Sequence, residues 1–148
     1  MVQVVKDPLG TKGARLSTQI SMAGRMLVYL PHDPHIGISQ KIDSESERIQ
    51  LRERVQALMP AEEKGGFIVR TQAEGANDEE LTADLEYLRK LWASVQAAAR
   101  TQPAPALLHQ DLTLAQRVLR DMVGPGTGTI PVSYTHLTLP RSTLCRSR

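Results

Sequence analysis

Aromatic residues make up only 3% of this 148-residue chain, and there is a single cysteine, Cys145. With so few rings, a core has to rest on Leu, Val, Ile, Met and Ala. One cysteine excludes an internal disulfide. No apolar run approaches the ~18 residues that suggest a membrane-spanning helix. The opening MVQVVKDPLG has neither the apolar centre nor the cleavage site of a secretory leader. A cytoplasmic protein is therefore expected. Charge of one sign is also scarce, with 18 Lys and Arg against 16 Asp and Glu, a formal net charge of +2. Such a balance does not by itself mark a nucleic-acid binder, because placement of charge matters more than the total.

Hydrophobic residues reach 41%, enough for a modest core, and the length suits one compact domain or a piece of a larger one. Val2 to Lys6 reads as a strand. It starts so near Met1 that a natural chain beginning further upstream is expected. Asp7-Pro8-Leu9-Gly10 is a turn signal that Gly10-Thr11-Lys12-Gly13 extends into a basic, flexible loop. Arg15 to Ser21 alternates, Met26 to Leu30 is a short apolar run, and Gly24-Arg25 is placed to turn between them as a hairpin. Pro31 to His35 breaks regular structure.

Three helices follow from caps and spacing. Ser44 with Glu47 forms a capping-box pattern ahead of Leu51, Val55 and Leu58, and Pro60 ends the helix. Gly65-Gly66 opens a short buried strand, Phe67 to Val69, that stops at Arg70-Thr71. Asn77 with Glu80 caps a second helix, whose stripe of Leu81, Leu85, Leu88, Trp92 and Val95 runs to about Ala99. Thr113 and Gln116 begin a third, with Ala115, Val118, Leu119 and Met122 on one face and Gly124-Pro125-Gly126 at its end. The fold class expected is α+β: a short hairpin and strands with three helices. From Pro131 the pattern changes, and SYTHLTLP resembles translated sequencing-adaptor text. Residues 131–148, Cys145 among them, are expected to be a non-native tail.

Several candidate sites yield to plainer readings. His32 and His35 flank Asp33-Pro34, but no fourth ligand is in view for structural zinc. Gly124-Pro125-Gly126-Thr127-Gly128 follows a helix and lacks the lysine of a phosphate loop. Glu79 and Glu80 sit in a first helical turn, where acids suit the helix dipole. Trp92 lies on the apolar stripe and is expected in the core. No metal ligands and no catalytic residue emerge.

Five phrases in order carry a more specific signal: VVKDPLGTKGARL (Val4 to Leu16), LVYLP (Leu27 to Pro31), GISQKIDSESER (Gly37 to Arg48), GGFIVRTQAEG (Gly65 to Gly75) and LAQRVLRDMV (Leu114 to Val123). Together, over roughly residues 2 to 130, they resemble the ribonuclease E/G family of bacterial endoribonucleases, nearer the ribonuclease G pattern. The resemblance implies that residues 1–13 are the end of an OB-fold RNA-binding domain, whose last strand has lost its partners. Residues 14–115 become a 5′-sensor region and 116–130 the start of a return into an RNase H-like part. It also implies a Mg2+-dependent catalytic subdomain beyond this chain, so that this piece binds no cofactor and is inactive alone. The whole enzyme is expected to be homo-oligomeric and to act in rRNA processing and mRNA decay.

The implied ligand is single-stranded RNA with a 5′ monophosphate. A terminal phosphate monoester carries nearly two charges and several acceptor oxygens, so its pocket needs convergent donors. The resemblance assigns them to Arg70, Thr71 and the Gly24 backbone, with Val28 beside them. An arginine fork gives bidentate donors of fixed shape, and a missing Cβ at Gly24 lets main chain approach an anion. On an ideal strand Arg70 and Thr71 face opposite ways, so the strand must end or twist between them. Gln40 stands where ribonuclease E has an arginine, which puts its part in phosphate binding in doubt. Lys6 and Lys12 fall where the OB-fold edge tracks an RNA backbone. A strand-end ion pair for Arg70, a protein-interaction module and a general RNA-binding regulator are the readings left open beside this one.

Overall fold

The computed structural model describes residues 1–124 and 126–130 and divides them into two units, parted after Thr113. The stretch read above as a non-native tail lies outside the described residues. In the first unit the elements are β1 (Gln3–Lys6), β2 (Arg15–Ser17), β3 (Met22–Ala23), β4 (Leu27–Leu30), β5 (Ile36–Ile38), α1 (Glu45–Leu58), β6 (Gly66–Val69), a 3-10 turn (Thr71–Ala73) and α2 (Asp78–Thr101). The second unit holds α3 (Leu114–Met122). The class is mixed α+β, as expected.

The four-stranded sheet has the order β3-β4-β6-β5, with β6 antiparallel to β4 and parallel to β5. One face is apolar because alternation stacks Leu27 and Tyr29 beside Val69 and Phe67. Leu51 and Val55 of α1 and Leu81, Leu85 and Leu88 of α2 join those four in one buried cluster. Each such side chain, fully buried, contributes about 1.5–3 kcal/mol of transfer free energy. Both helix starts match their capping signals: Ser44 Oγ accepts from the Glu47 N–H, and Asn77 and Glu80 complete a reciprocal capping box. Trp92, expected in the core, is half-buried and packs against the edge of the cluster, with the ring of His32 set edge-on at 5.7 Å between centroids.

Three expectations are corrected by backbone pairing. The strand partnering β4 in the hairpin is only Met22–Ala23, while Arg15–Ser17 turns away to pair with Gln3–Lys6. The first strand thus has a partner within the chain. The loop expected to be flexible is a tight turn: Leu9 and Lys12 exchange two backbone hydrogen bonds of 3.0 Å, with Gly10 at φ +58° supplying the left-handed residue the turn needs. Pro31 to His35 is irregular as expected, and just beyond it Ile36–Ile38 forms an edge strand on β6.

Helix α3 presents Leu114, Val118, Leu119 and Met122 at helical spacing, and all four are exposed. Arg120 and Asp121 pair within it, Nε to Oδ1 at 2.8 Å.

Candidate functional site

Sheet topology decides which candidate residues can meet. Because β6 is antiparallel to β4 and parallel to β5, the start of β4 and the ends of β5 and β6 share one end of the sheet. Gly24 lies in the turn entering β4, Arg70 and Thr71 follow β6, and Gln40 follows β5. The Ser39 N–H donates to the Val69 carbonyl at 2.9 Å, which carries the β5–β6 pairing to the last residue before Arg70. Val28 sits one step inside β4, opposite Ile68, in a row with Ala23 and Gly37. That row faces away from the helices, and alternation puts Arg70 on the same side as Ile68.

The strand ends where the two candidate side chains require it. β6 stops at Val69, Arg70 is still extended, and Thr71 begins the 3-10 turn. Gly75, at φ +70°, then redirects the chain toward the cap of α2. The Arg70 N–H donates to the Met26 carbonyl at 2.8 Å. Its Nη1 donates to the carbonyls of Gly24 at 2.7 Å and Arg25 at 2.9 Å. Residues far apart in sequence are thus brought into direct contact. Thr71 follows at once and is half-buried. Gln40 shares the sheet end but is exposed, and among the described residues no hydrogen bond joins it to Arg70 or Gly24.

An anion does approach the main chain at Gly24, and it is one the sequence reading missed. Asp84 of α2 accepts from the N–H groups of Arg25 (2.9 Å, Oδ1), Met26 (2.9 Å, Oδ2) and Leu27 (2.8 Å, Oδ2). A Cβ at Gly24 would lie 2.5 Å from Asp84 Oδ2, so the missing side chain is what lets the carboxylate in. The Gly24 N–H itself closes the turn onto the Leu27 carbonyl at 2.7 Å. The signal in the sequence was an acid within an apolar stripe: Asp84 is three residues after Leu81 and four before Leu88, hence on the face that packs.

A second polar cluster closes the opposite end of the sheet. Tyr29 Oη donates to Glu63 Oε1 at 2.7 Å, the Gly65 N–H reaches the same oxygen at 3.2 Å, and Arg89 Nε donates to Glu63 Oε2 at 2.8 Å. Burial, then the bonded carboxylate, push the Tyr29 hydroxyl well above the usual tyrosine range. Burial alone would push Glu63 up, but its bonds to Tyr29, Gly65 and Arg89 together hold it below the usual glutamate value.

Lys6 and Lys12 are exposed on the β1–β2 ribbon, outside the four-stranded sheet. The ribbon is tied to the chain entering β3 by the Gln3 amide, which both donates to the Ser21 carbonyl and accepts from its N–H, each at 2.8 Å. His35 is held by an N–H bond to Asp33 Oδ1 at 3.0 Å. Among the described residues no three His, Cys, Asp or Glu side chains converge to hold a metal ion. No helix among them is long and apolar enough to cross a membrane.

A mixed sheet under two helices, with a strand-end arginine bound to a glycine turn, defines a small α+β module whose polar end is built largely from main chain. The model of the Ribonuclease E/G family matches residues 21–139, and the chain belongs to that family. Ribonuclease G of Escherichia coli K12 is 50% identical over 121 residues, which is 82% of this chain and 24% of that protein. Ribonuclease G of Haemophilus influenzae is 47% identical over 124 residues, 84% of this chain and 25% of the relative. Ribonuclease E of a Nostoc species is 45% identical over 132 residues, 89% and 19%. The chain therefore spans about a quarter or less of the length of these curated relatives.

Proposed function

We propose that this chain is the RNA 5′-end-sensing segment of a ribonuclease E/G-type endoribonuclease. The sheet end bearing Gly24, Val28, Arg70 and Thr71 takes the terminal phosphate monoester. The observation that supports it is the bonding of Arg70 Nη1 to the carbonyls of Gly24 and Arg25, which sets an arginine against the turn at the end of β6. A guanidinium carries its N–H donors in one fixed plane. Thr71 adds a hydroxyl one residue on, and the half-buried row of Val28 and Ile68 forms an apolar floor.

In the full-length protein, phosphodiester hydrolysis belongs to a Mg2+-binding subdomain outside this chain. The described residues offer no ligand set for magnesium. The chain alone is expected not to cleave RNA. The parent enzyme is taken to be a cytoplasmic homo-oligomer that processes rRNA and degrades mRNA.

The test compares binding of single-stranded RNA carrying a 5′ monophosphate with the same oligonucleotide carrying a 5′ hydroxyl. Preference for the phosphate, abolished by Arg70→Ala, is the expected result. Equal affinity for both would leave a general RNA binder, and no binding of either would favour a protein-interaction module.

A further inference from the structure

The bonds around Gly24 share a feature that their individual distances conceal. The Gly24–Arg25 peptide group gives its N–H to Asp84 and its carbonyl to Arg70. The next peptide group, Arg25–Met26, does the same: its carbonyl accepts from Arg70 and its N–H donates to Asp84. Two consecutive peptide planes thus stand in parallel between one carboxylate and one guanidinium. Each charge polarises the amide toward the other, so every bond in the chain strengthens its neighbour. A carboxylate held by three backbone N–H groups is also well satisfied, which fixes the turn as a rigid object.

We infer that Asp84 is the positioning residue for Arg70 in the proposed phosphate site, acting through the two peptide groups between Gly24 and Met26. This rests on the phosphate reading of that sheet end. Nη1 is the atom that meets both carbonyls. With Nη1 fixed at two points, the plane of the guanidinium is set. Asp84 touches no phosphate. Its three N–H partners are already spoken for, so the incoming anion is met by side chains rather than by the amides of Arg25 to Leu27.

The experiment uses the 148-residue chain and the variant Asp84→Asn, which keeps the shape but turns one acceptor oxygen into an NH2 group. Two quantities are measured: the ratio of affinities for 5′-phosphorylated and 5′-hydroxyl RNA, and the NMR signals of the Arg70 side-chain N–H groups. The ratio is expected to fall about tenfold, the scale of loosening a charge-assisted hydrogen-bond set. Affinity for the 5′-hydroxyl RNA should hold, and the Arg70 signals should broaden or merge. In an Arg70→Lys background, Asp84→Asn should change the ratio no further, because its effect passes through the guanidinium.

A residue that only stabilised the fold would lower the melting temperature and both affinities together, leaving the ratio in place. An unchanged ratio with unchanged Arg70 signals overturns the inference and leaves the phosphate reading standing. A wild-type ratio of one sinks the phosphate reading, and this inference with it. If Asp84→Asn does not fold, Asp84→Glu, which carries the same charge one methylene further out, replaces it under the same criteria.

Discussion

Where β6 begins, Glu63 is gripped mainly by side chains, Tyr29 and Arg89; where β6 stops, Asp84 is gripped wholly by main chain, the N–H groups of Arg25, Met26 and Leu27. Helix α2 serves both ends, Asp84 at one and Arg89 at the other. The spacing suits the sheet: five helical residues rise about 7.5 Å, close to the ~6.6 Å that two strand steps cover from Leu27 to Tyr29. A side-chain cluster neutralises its own charge and stabilises the fold. A main-chain clasp shapes a turn and leaves side chains such as Arg70 to carry chemistry. If that distinction is right, damage at the two ends should read out differently, stability at the first and RNA-end preference at the second.

The harshest way to break the first end is Gly66→Ala. A Cβ there would press on the carbonyl oxygen of His35 and lie 2.5 Å from that of Asp33, and the His35 carbonyl cannot move without giving up the bond it accepts from the Phe67 N–H. Overpacking against backbone sits at the upper part of its usual range, about 3 kcal/mol. Thermal unfolding should show it as a large drop in midpoint. A midpoint within a few degrees of wild type would mean that β5 is not held where the pairing puts it.

Gly24→Ala tests the second end and should cost less, because the atoms its Cβ would meet belong to the tip of Asp84, which can swing aside. The swing leaves three N–H groups without their acceptor and undoes the clasp. A loss of about 2 kcal/mol is expected, together with most of the preference for a 5′ phosphate. Gly66→Ala protein that is still folded at low temperature should keep that preference. Loss of preference in both variants, or in neither, would erase the distinction between the ends.

Glu63→Gln keeps the shape of the side-chain cluster and removes its charge, for an expected loss of about 1.5 kcal/mol at neutral pH. The sign of its pH dependence follows from the lowered value of Glu63. An unfolded glutamate titrates near ~4.3. The stabilisation is therefore complete above that value and is lost as pH falls through the lower folded value. The gap in melting temperature between wild type and variant should be constant from neutral pH to about pH 5 and close as the solution becomes more acid. A gap that widens in acid would contradict the direction assigned to Glu63.

The same contrast explains what could be read from sequence. Helices α1 and α2 were legible because caps and apolar spacing are local signals: Ser44, Asn77, and the stripe from Leu81 to Val95. Strand β5 was not, since Ile36–Ile38 has a glycine at its centre and is too short to show alternation. Its reason for being extended lies on β6, some thirty residues on in the chain. The run from Arg15 to Ser21 alternates as one strand would, yet it is shared between two sheets, and nothing local marks the division. At the site, Arg70, Thr71 and Gly24 were reached through resemblance to a family rather than through their own pattern. Asp84 was overlooked because its partners are backbone amides, which every residue carries and no sequence distinguishes.

The smallest effect expected is on the β1–β2 ribbon, and it sharpens the contrast by adding a surface with no end preference. Lys6 and Lys12 are exposed there, Lys12 closing the tight turn after Leu9. If they track an RNA backbone, each contributes through counterion release, whatever the group at the 5′ end. Lys6→Ala or Lys12→Ala should then weaken 5′-phosphorylated and 5′-hydroxyl RNA by the same small factor. Each should also flatten the log–log salt dependence by about 0.7 for a single strand. Affinity measured over a salt series gives both quantities at once. A lysine variant that lowered the phosphate preference instead would join the ribbon to the Arg70 end as one site. A variant with an unchanged salt slope would leave that lysine a solvated surface residue.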